Sequence, residues 1–108
     1  LNILTDKIPS VDVIIVRQVL QHLSNSDIAR FLQNLTPKYN HLIITEHIPL
    51  DEDFIPNMDK LSGPNIRLDF NSGVDLSAEP FNLQFTTKRE LCNVAGYGGR
   101  ILTTLYTS

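Results

Sequence analysis

Four side chains that can form hydrogen bonds lie just beyond an apolar run near the start of the chain. Residues 11–16 are apolar apart from Asp12, and the polar side chains that follow them are Arg17, Gln18, Gln21 and His22. Open α/β sheets bind ligands beyond the carboxyl ends of their strands, so these side chains are candidates for a binding crevice. His22 is the candidate catalytic residue, because an imidazole with a pKa of about 6.5 suits general-base chemistry. The alternatives are a helix-packing role for His22 and a structural ion pair for Arg17.

A second polar group surrounds the apolar residues 42–44. His41 precedes these residues, and Glu46 and His47 follow them. Adjacent residues of a strand point to opposite faces, so Glu46 and His47 are poor joint ligands, and we predict no metal site. His47, together with Gln21 of the first group, is a candidate substrate-binding residue.

These side chains need two strands and a helix to hold them. Residues 11–17 lack apolar-polar alternation, which predicts a central strand buried on both faces. A short helical turn over residues 19–23 would place Val19, Leu20 and Leu23 inward. Ser24 predicts the N-cap of a helix that ends before Pro37, with Asp27 completing a capping box. Residues 41–48 predict a second strand, parallel to the first through a right-handed crossover.

The rest of the chain predicts a long loop and a hairpin. Prolines and glycines interrupt residues 49–84, which favours a functional loop or lid region with at most short helical turns near residues 52–61. Residues 88–94 and 100–107 have strand composition, and Gly96-Tyr97-Gly98-Gly99 between them favours an antiparallel hairpin. At 108 residues with 42% hydrophobic residues, the chain is predicted to form a single domain.

Composition limits the class of partner and the setting. The formal net charge is −3 and no Lys/Arg cluster exceeds the pair at 88–89, which argues against nucleic-acid binding. The single Cys92 cannot form an internal disulfide, which favours a cytoplasmic protein. No apolar run approaches the roughly 18 residues that a membrane helix needs, so we expect no membrane partner.

Three segments carry a resemblance to a known enzyme family. They are, in chain order, IPSVDVIIVRQVLQHLSNSDIARFLQNL, HLIITEHIP and NIRLDFNSGVDLSAEPFNL. They are similar to the carboxyl-terminal half of class I S-adenosylmethionine-dependent methyltransferases, where they would form the fourth strand with its helix, the fifth strand and the loop before the sixth. The resemblance implies an α/β fold with a partial Rossmann-like sheet: two parallel strands with a crossover helix, then a terminal antiparallel hairpin.

The resemblance also implies roles for individual residues. S-adenosylmethionine would be the cofactor, with Arg17 and Gln18 at its amino-acid portion and Asn2 and Ile3 near its adenine. The family's Gly-rich turn after the first strand is missing from these 108 residues, and the glycines at 96–99 lie between two strands and do not replace it. We therefore expect the isolated chain to bind the cofactor weakly or not at all.

Two functions follow as expectations. The first is the acceptor-side half of a methyltransferase that acts on an unknown, small-molecule acceptor; whether the chain is itself an enzyme stays open because half of the cofactor site is missing. The second is a non-catalytic, truncated interaction module. In the second case the strand at residues 11–17 would become a sheet edge with unpaired backbone groups, and it would pair with another chain or form a homodimer.

Overall fold

A computed structural model describes residues 12–35 and 39–108 of the chain. In this part, four strands form one mixed sheet in the order β1-β2-β4-β3, and one α-helix connects the first two strands. The predicted mixed α/β class is therefore confirmed at this level. The elements are β1 (Val13–Arg17), α1 (Asn25–Leu35), β2 (His41–Pro49), β3 (Thr87–Gly96) and β4 (Gly99–Thr107), with 3-10 turns at Leu20–His22 and Arg67–Phe70.

The β1-α1-β2 unit confirms the predicted parallel crossover. Val13 lies opposite His41 and Arg17 opposite Thr45. Ser24 caps α1, since its Oγ accepts the N–H of Asp27 at 3.2 Å. The return bond of a capping box is replaced by a bridge through Ser62: its Oγ accepts the Ser24 N–H at 2.8 Å and donates to Asp27 Oδ2 at 2.6 Å. The loop between β2 and β3 thus helps to fix the start of α1.

The carboxyl-terminal hairpin is also confirmed. β3 and β4 are antiparallel, and β4 inserts between β3 and β2, so that all four strands share one ladder. Tyr97 and Gly98 form the turn with φ of 52° and 78°. Two successive residues with positive φ give the turn the twist that a two-residue hairpin requires, and Gly98 adopts this conformation without a steric penalty.

The hydrophobic core lies on one face of the sheet, which we call the helix face. Ile28, Phe31 and Leu35 of α1 pack there against Leu42 and Ile44 of β2. Tyr39, Val74, Leu76 and Tyr106 complete this core from other segments.

Burial of β1 differs from the prediction. Val16 is buried on the helix face, but Val13 and Ile15, which point to the opposite, outer face, are 44% and 67% exposed. The prediction that the strand is buried on both faces is wrong for the described residues, because α1 covers only one face. The inward position predicted for Val19 is also wrong, since its side chain is 39% exposed, while Leu20 is fully buried as predicted.

Residues 50–86 connect β2 to β3 across the helix face, and their regular structure is limited to the 3-10 turn at Arg67–Phe70. This turn lies after residues 52–61, the region for which the sequence predicts short helical turns. No helix in the described residues is long and apolar enough to cross a membrane.

Candidate functional site at the carboxyl end of the first strand

The chain turns sharply where β1 ends. Gln18 has a φ of 51°, an uncommon conformation for a residue with a side chain, and its N–H donates to the Thr45 carbonyl of β2 at 2.7 Å. The Leu20–His22 turn follows at once. β1 therefore ends beside Thr45, four residues before β2 ends at Pro49. The Arg17–His22 segment turns beside this last part of β2, where Glu46 and His47 bond to it.

The Glu46 side chain binds the backbone of this segment. Its side chain is 3% exposed, and Oε1 accepts the N–H of Leu20 at 3.2 Å. Oε2 is buried and has no hydrogen-bond partner among the described residues. Burial raises the pKa of Glu46 to about 8, although the N–H groups of Leu20 and Gln21 and the Arg67 cation act to lower it. A carboxyl group with this pKa is largely protonated at neutral pH.

The Arg67 side chain binds backbone carbonyl groups of the same segment. The side chain is 1% exposed, and burial lowers its pKa. Arg67 lies in the 3-10 turn at Arg67–Phe70. Its guanidinium joins the loop of residues 50–86 to the Leu20–His22 turn and to the start of α1. Nε donates to Met58 O at 2.7 Å, Nη1 to Leu20 O and Gln21 O at 3.4 and 3.3 Å, and Nη2 to Leu23 O and Asn25 Oδ1 at 2.8 and 2.7 Å.

Gln21 and His47, the candidate substrate-binding residues, lie next to each other. Both are buried, and Gln21 Oε1 accepts the backbone N–H of His47 at 3.1 Å. His47 Nε2 donates to the Gly96 carbonyl at 2.9 Å. In this conformation these polar atoms connect β2 to the turn and to the hairpin.

His22, the candidate general base, is half-buried. Its Nδ1 is enclosed and has no partner among the described residues, so proton transfer by this ring in the observed conformation would use Nε2. Its carbonyl accepts Lys60 Nζ at 3.0 Å and the Gly63 N–H at 2.9 Å, which fixes the backbone at this position.

The candidate cofactor residues separate into two groups. Arg17 is exposed at the end of β1, and within residues 12–35 and 39–108 no carboxylate lies at salt-bridge distance from it. Gln18, beside it, is half-buried. Asn2 and Ile3 lie outside the described residues. In the same described ranges, no three His, Cys, Asp or Glu side chains are grouped as metal ligands.

Sequence reasoning missed Arg67 altogether and considered Glu46 only as a metal ligand. No local pattern marks Arg67, because the carbonyl groups of the first 3-10 turn and of Leu23 that it binds lie 44 to 47 positions away. Glu46 carries a weak signal: it is a carboxylate inside an otherwise apolar strand, and such a group needs a partner when it is buried.

Comparisons with models of protein families, with curated proteins and with solved structures give no match for this chain. The functional interpretation therefore depends on the site itself.

Proposed function

We propose that this chain forms the acceptor-side half of a methyltransferase-like α/β fold that uses S-adenosylmethionine. The observation that carries the proposal is the arrangement of β1 and β2: two parallel strands, with the Arg17–His22 segment turning at the carboxyl end of β1 beside Thr45 of β2. In open α/β sheets this is where ligands bind. The β3-β4 hairpin that completes the sheet also agrees with the resemblance in the sequence.

Two side chains at this position suit the amino-acid end of the cofactor. The Arg17 guanidinium is exposed and can form a two-pronged ion pair with a carboxylate. The Gln18 side chain, directed by an unusual backbone conformation, offers an amide beside it. Gln21 and His47, by contrast, have polar atoms that already serve internal hydrogen bonds. Arg17 and Gln18 are therefore the residues that we assign to the cofactor.

The described residues fit only part of the cofactor. They offer donors for its carboxylate, whereas the one buried carboxyl group below the segment, Glu46, is largely protonated at neutral pH and is a poor partner for a cation. The bound cofactor would supply an activated methyl group on a sulfonium. The chain's contribution would be to position the reactants in line and, through His22, to accept a proton from the acceptor. Weak binding by the chain alone follows from this partial fit.

Amide NMR spectra of the ¹⁵N-labelled chain test the proposal. We expect S-adenosylmethionine to shift the amide signals of Arg17 to His22 with a Kd in the millimolar range, which corresponds to about −4 kcal/mol. Methionine should shift the same signals, because its carboxylate would bind Arg17, and adenosine should not. Arg17→Glu should abolish the shifts, whereas the control Arg30→Glu, an exposed charge reversal on α1, should leave them unchanged.

Two outcomes would count against this assignment. If about 10 mM cofactor shifts no signal in the segment, the binding is weaker than the expected millimolar Kd, and the proposal fails. If calorimetry gives micromolar binding, the inference that the chain holds only one end of the cofactor is wrong.

A further inference from the structure

The two edges of the sheet are built differently. β3, at one edge, carries the charged residues Lys88, Arg89 and Glu90, and its pairing with β4 is irregular between Glu90 and Cys92. Charged residues and bulges are devices that keep a sheet edge from pairing with other strands. β1, at the other edge, has its one charge at the last residue, Arg17, and the sequence VIIV over residues 13–16 has neither a charge nor a proline. Among the described residues, the middle of this edge lacks such protection.

Even-numbered and odd-numbered residues of β1 direct their backbone N–H and C=O groups to opposite sides of the strand. The Asp12 carbonyl accepts the His41 N–H at 2.8 Å, and the Gln18 N–H donates to the Thr45 carbonyl at 2.7 Å. Because the direction alternates along a strand, even-numbered residues bond to β2 and odd-numbered residues point away from it. Among the described residues, β1 pairs with no strand other than β2. The outward-pointing residues are Val13, Ile15 and Arg17.

The side chains of these odd-numbered residues also share one face. Val13 and Ile15 point to the outer face, where Ile15 is in register with Ile43 of β2, which is in register with Leu105 of β4. Ile15 is 67% exposed. Backbone groups that pair with no other strand in the described ranges therefore coincide with exposed apolar side chains on β1, and an extended strand is the partner that satisfies both.

We propose that β1 pairs with β1 of a second copy of this chain, antiparallel across a two-fold axis at Ile15, to give one continuous sheet. A two-fold axis requires a self-complementary strand, and this register supplies one. Ile15 contacts Ile15 of the second copy, and Val13 lies opposite Arg17 of the second copy. The two Arg17 side chains are then about 13 Å apart along the strands, beyond the Debye length at physiological salt, so no like charges oppose each other.

This proposal does not depend on cofactor binding, and its test uses no cofactor. Sedimentation velocity of the 108-residue chain should show a monomer-dimer equilibrium at micromolar concentration. Hydrogen exchange followed by NMR should then show that the amides of Val13, Ile15 and Arg17 are protected at high concentration and exchange rapidly on dilution. The amides of Ile14 and Val16, which point to β2, should be protected at both concentrations.

Ile15→Lys tests the register. It replaces the central apolar contact by two like charges, and we expect the dimer to dissociate roughly 100-fold more readily. Val94→Lys is the matched control, because Val94 is an exposed apolar residue, 54% accessible, on the opposite edge strand; it should leave dimerisation unchanged.

Three outcomes overturn the proposal. They are a monomer at every concentration, a dimer in which the odd-numbered β1 amides exchange freely, and a dimer that Ile15→Lys leaves intact. The exchange measurement on the unmodified chain decides the question even if the Ile15→Lys variant does not fold.

Discussion

Replacing Arg67 by Ala should be among the most damaging single substitutions in the chain. Three of its hydrogen bonds are 2.8 Å or shorter, and two more lie at 3.3 and 3.4 Å. Hydrogen bonds to charged groups contribute about 1.5–3 kcal/mol each, but removing the cation also removes the cost of burying it. We expect the net loss in the free energy of unfolding to be about 3–4 kcal/mol, a large fraction of the 5–15 kcal/mol typical of a domain.

Urea unfolding followed by far-ultraviolet circular dichroism measures this loss, since the chain contains no tryptophan. With a slope of about 2 kcal/mol per molar urea, the midpoint should fall by roughly 2 M. Arg67→Lys should recover little of the loss, because one ammonium group cannot reach acceptors on both sides of a guanidinium. Arg30→Ala is the control: Arg30 is exposed and its ion pair with Asp27 spans 3.6 Å, so the cost should stay below about 1 kcal/mol.

Two results would contradict this prediction. If the free energy of unfolding of Arg67→Ala lies within about 1 kcal/mol of that of the unmodified chain, then Arg67 does not hold the Leu20–His22 turn to the loop. If Arg67→Lys is as stable as the unmodified chain, charge rather than the guanidinium geometry is responsible, and the assignment of the five hydrogen bonds is wrong.

Two further substitutions test neighbouring features. Glu46 has a pKa of about 8 in the folded state and a lower pKa in the unfolded state, so the free energy of unfolding should fall as pH rises from about 4.5 to 8. Urea titrations should show that the stability of Glu46→Gln rises relative to that of the unmodified chain across this window. A difference that stays constant with pH would contradict the burial of this carboxyl group. Gly99→Ala should destabilise the fold by about 1–3 kcal/mol in thermal unfolding, because a Cβ at this position would overlap the Ile48 carbonyl. Gly96→Ala is the control and should be near neutral, because nothing lies within 4 Å of its added Cβ. Equal effects of the two substitutions would contradict the close approach at Gly99.

The elements that could be predicted from the sequence are those that depend on local patterns. Ser24 predicts the start of α1 because a hydroxyl can accept a free N–H within one helical turn. Gly98 marks the hairpin because a two-residue turn needs positive φ. The parallel pairing of β1 and β2 follows from the length of the connection and the helix within it. None of these inferences needs a contact that is distant in sequence.

The features that could not be predicted depend on distant contacts. The composition of β1 predicts burial on both faces, but composition does not show whether a layer covers the second face, and Ile15 is exposed on it. Arg67 lies in the loop between β2 and β3, where an arginine is ordinarily solvated, and its role follows only from the carbonyl groups that the fold brings to it. Gln21 and His47 are candidates because of their position near the strand ends, and that same position lets backbone groups use their polar atoms.

The contacts within β1 and its turn allow both proposals to hold in one molecule. The even-numbered backbone groups of β1 bond to β2, and Glu46 and Arg67 bind the Leu20–His22 turn that follows. Among the described residues, the odd-numbered groups meet no other strand and are available to a second copy. In an antiparallel pair the carboxyl ends of the two β1 strands point in opposite directions, so each Arg17–His22 segment would lie at its own end of the continuous sheet. Dimerisation would therefore pair the Arg17 backbone of each candidate site with Val13 of the second copy and would keep the two Arg17 residues about 13 Å apart along the strands.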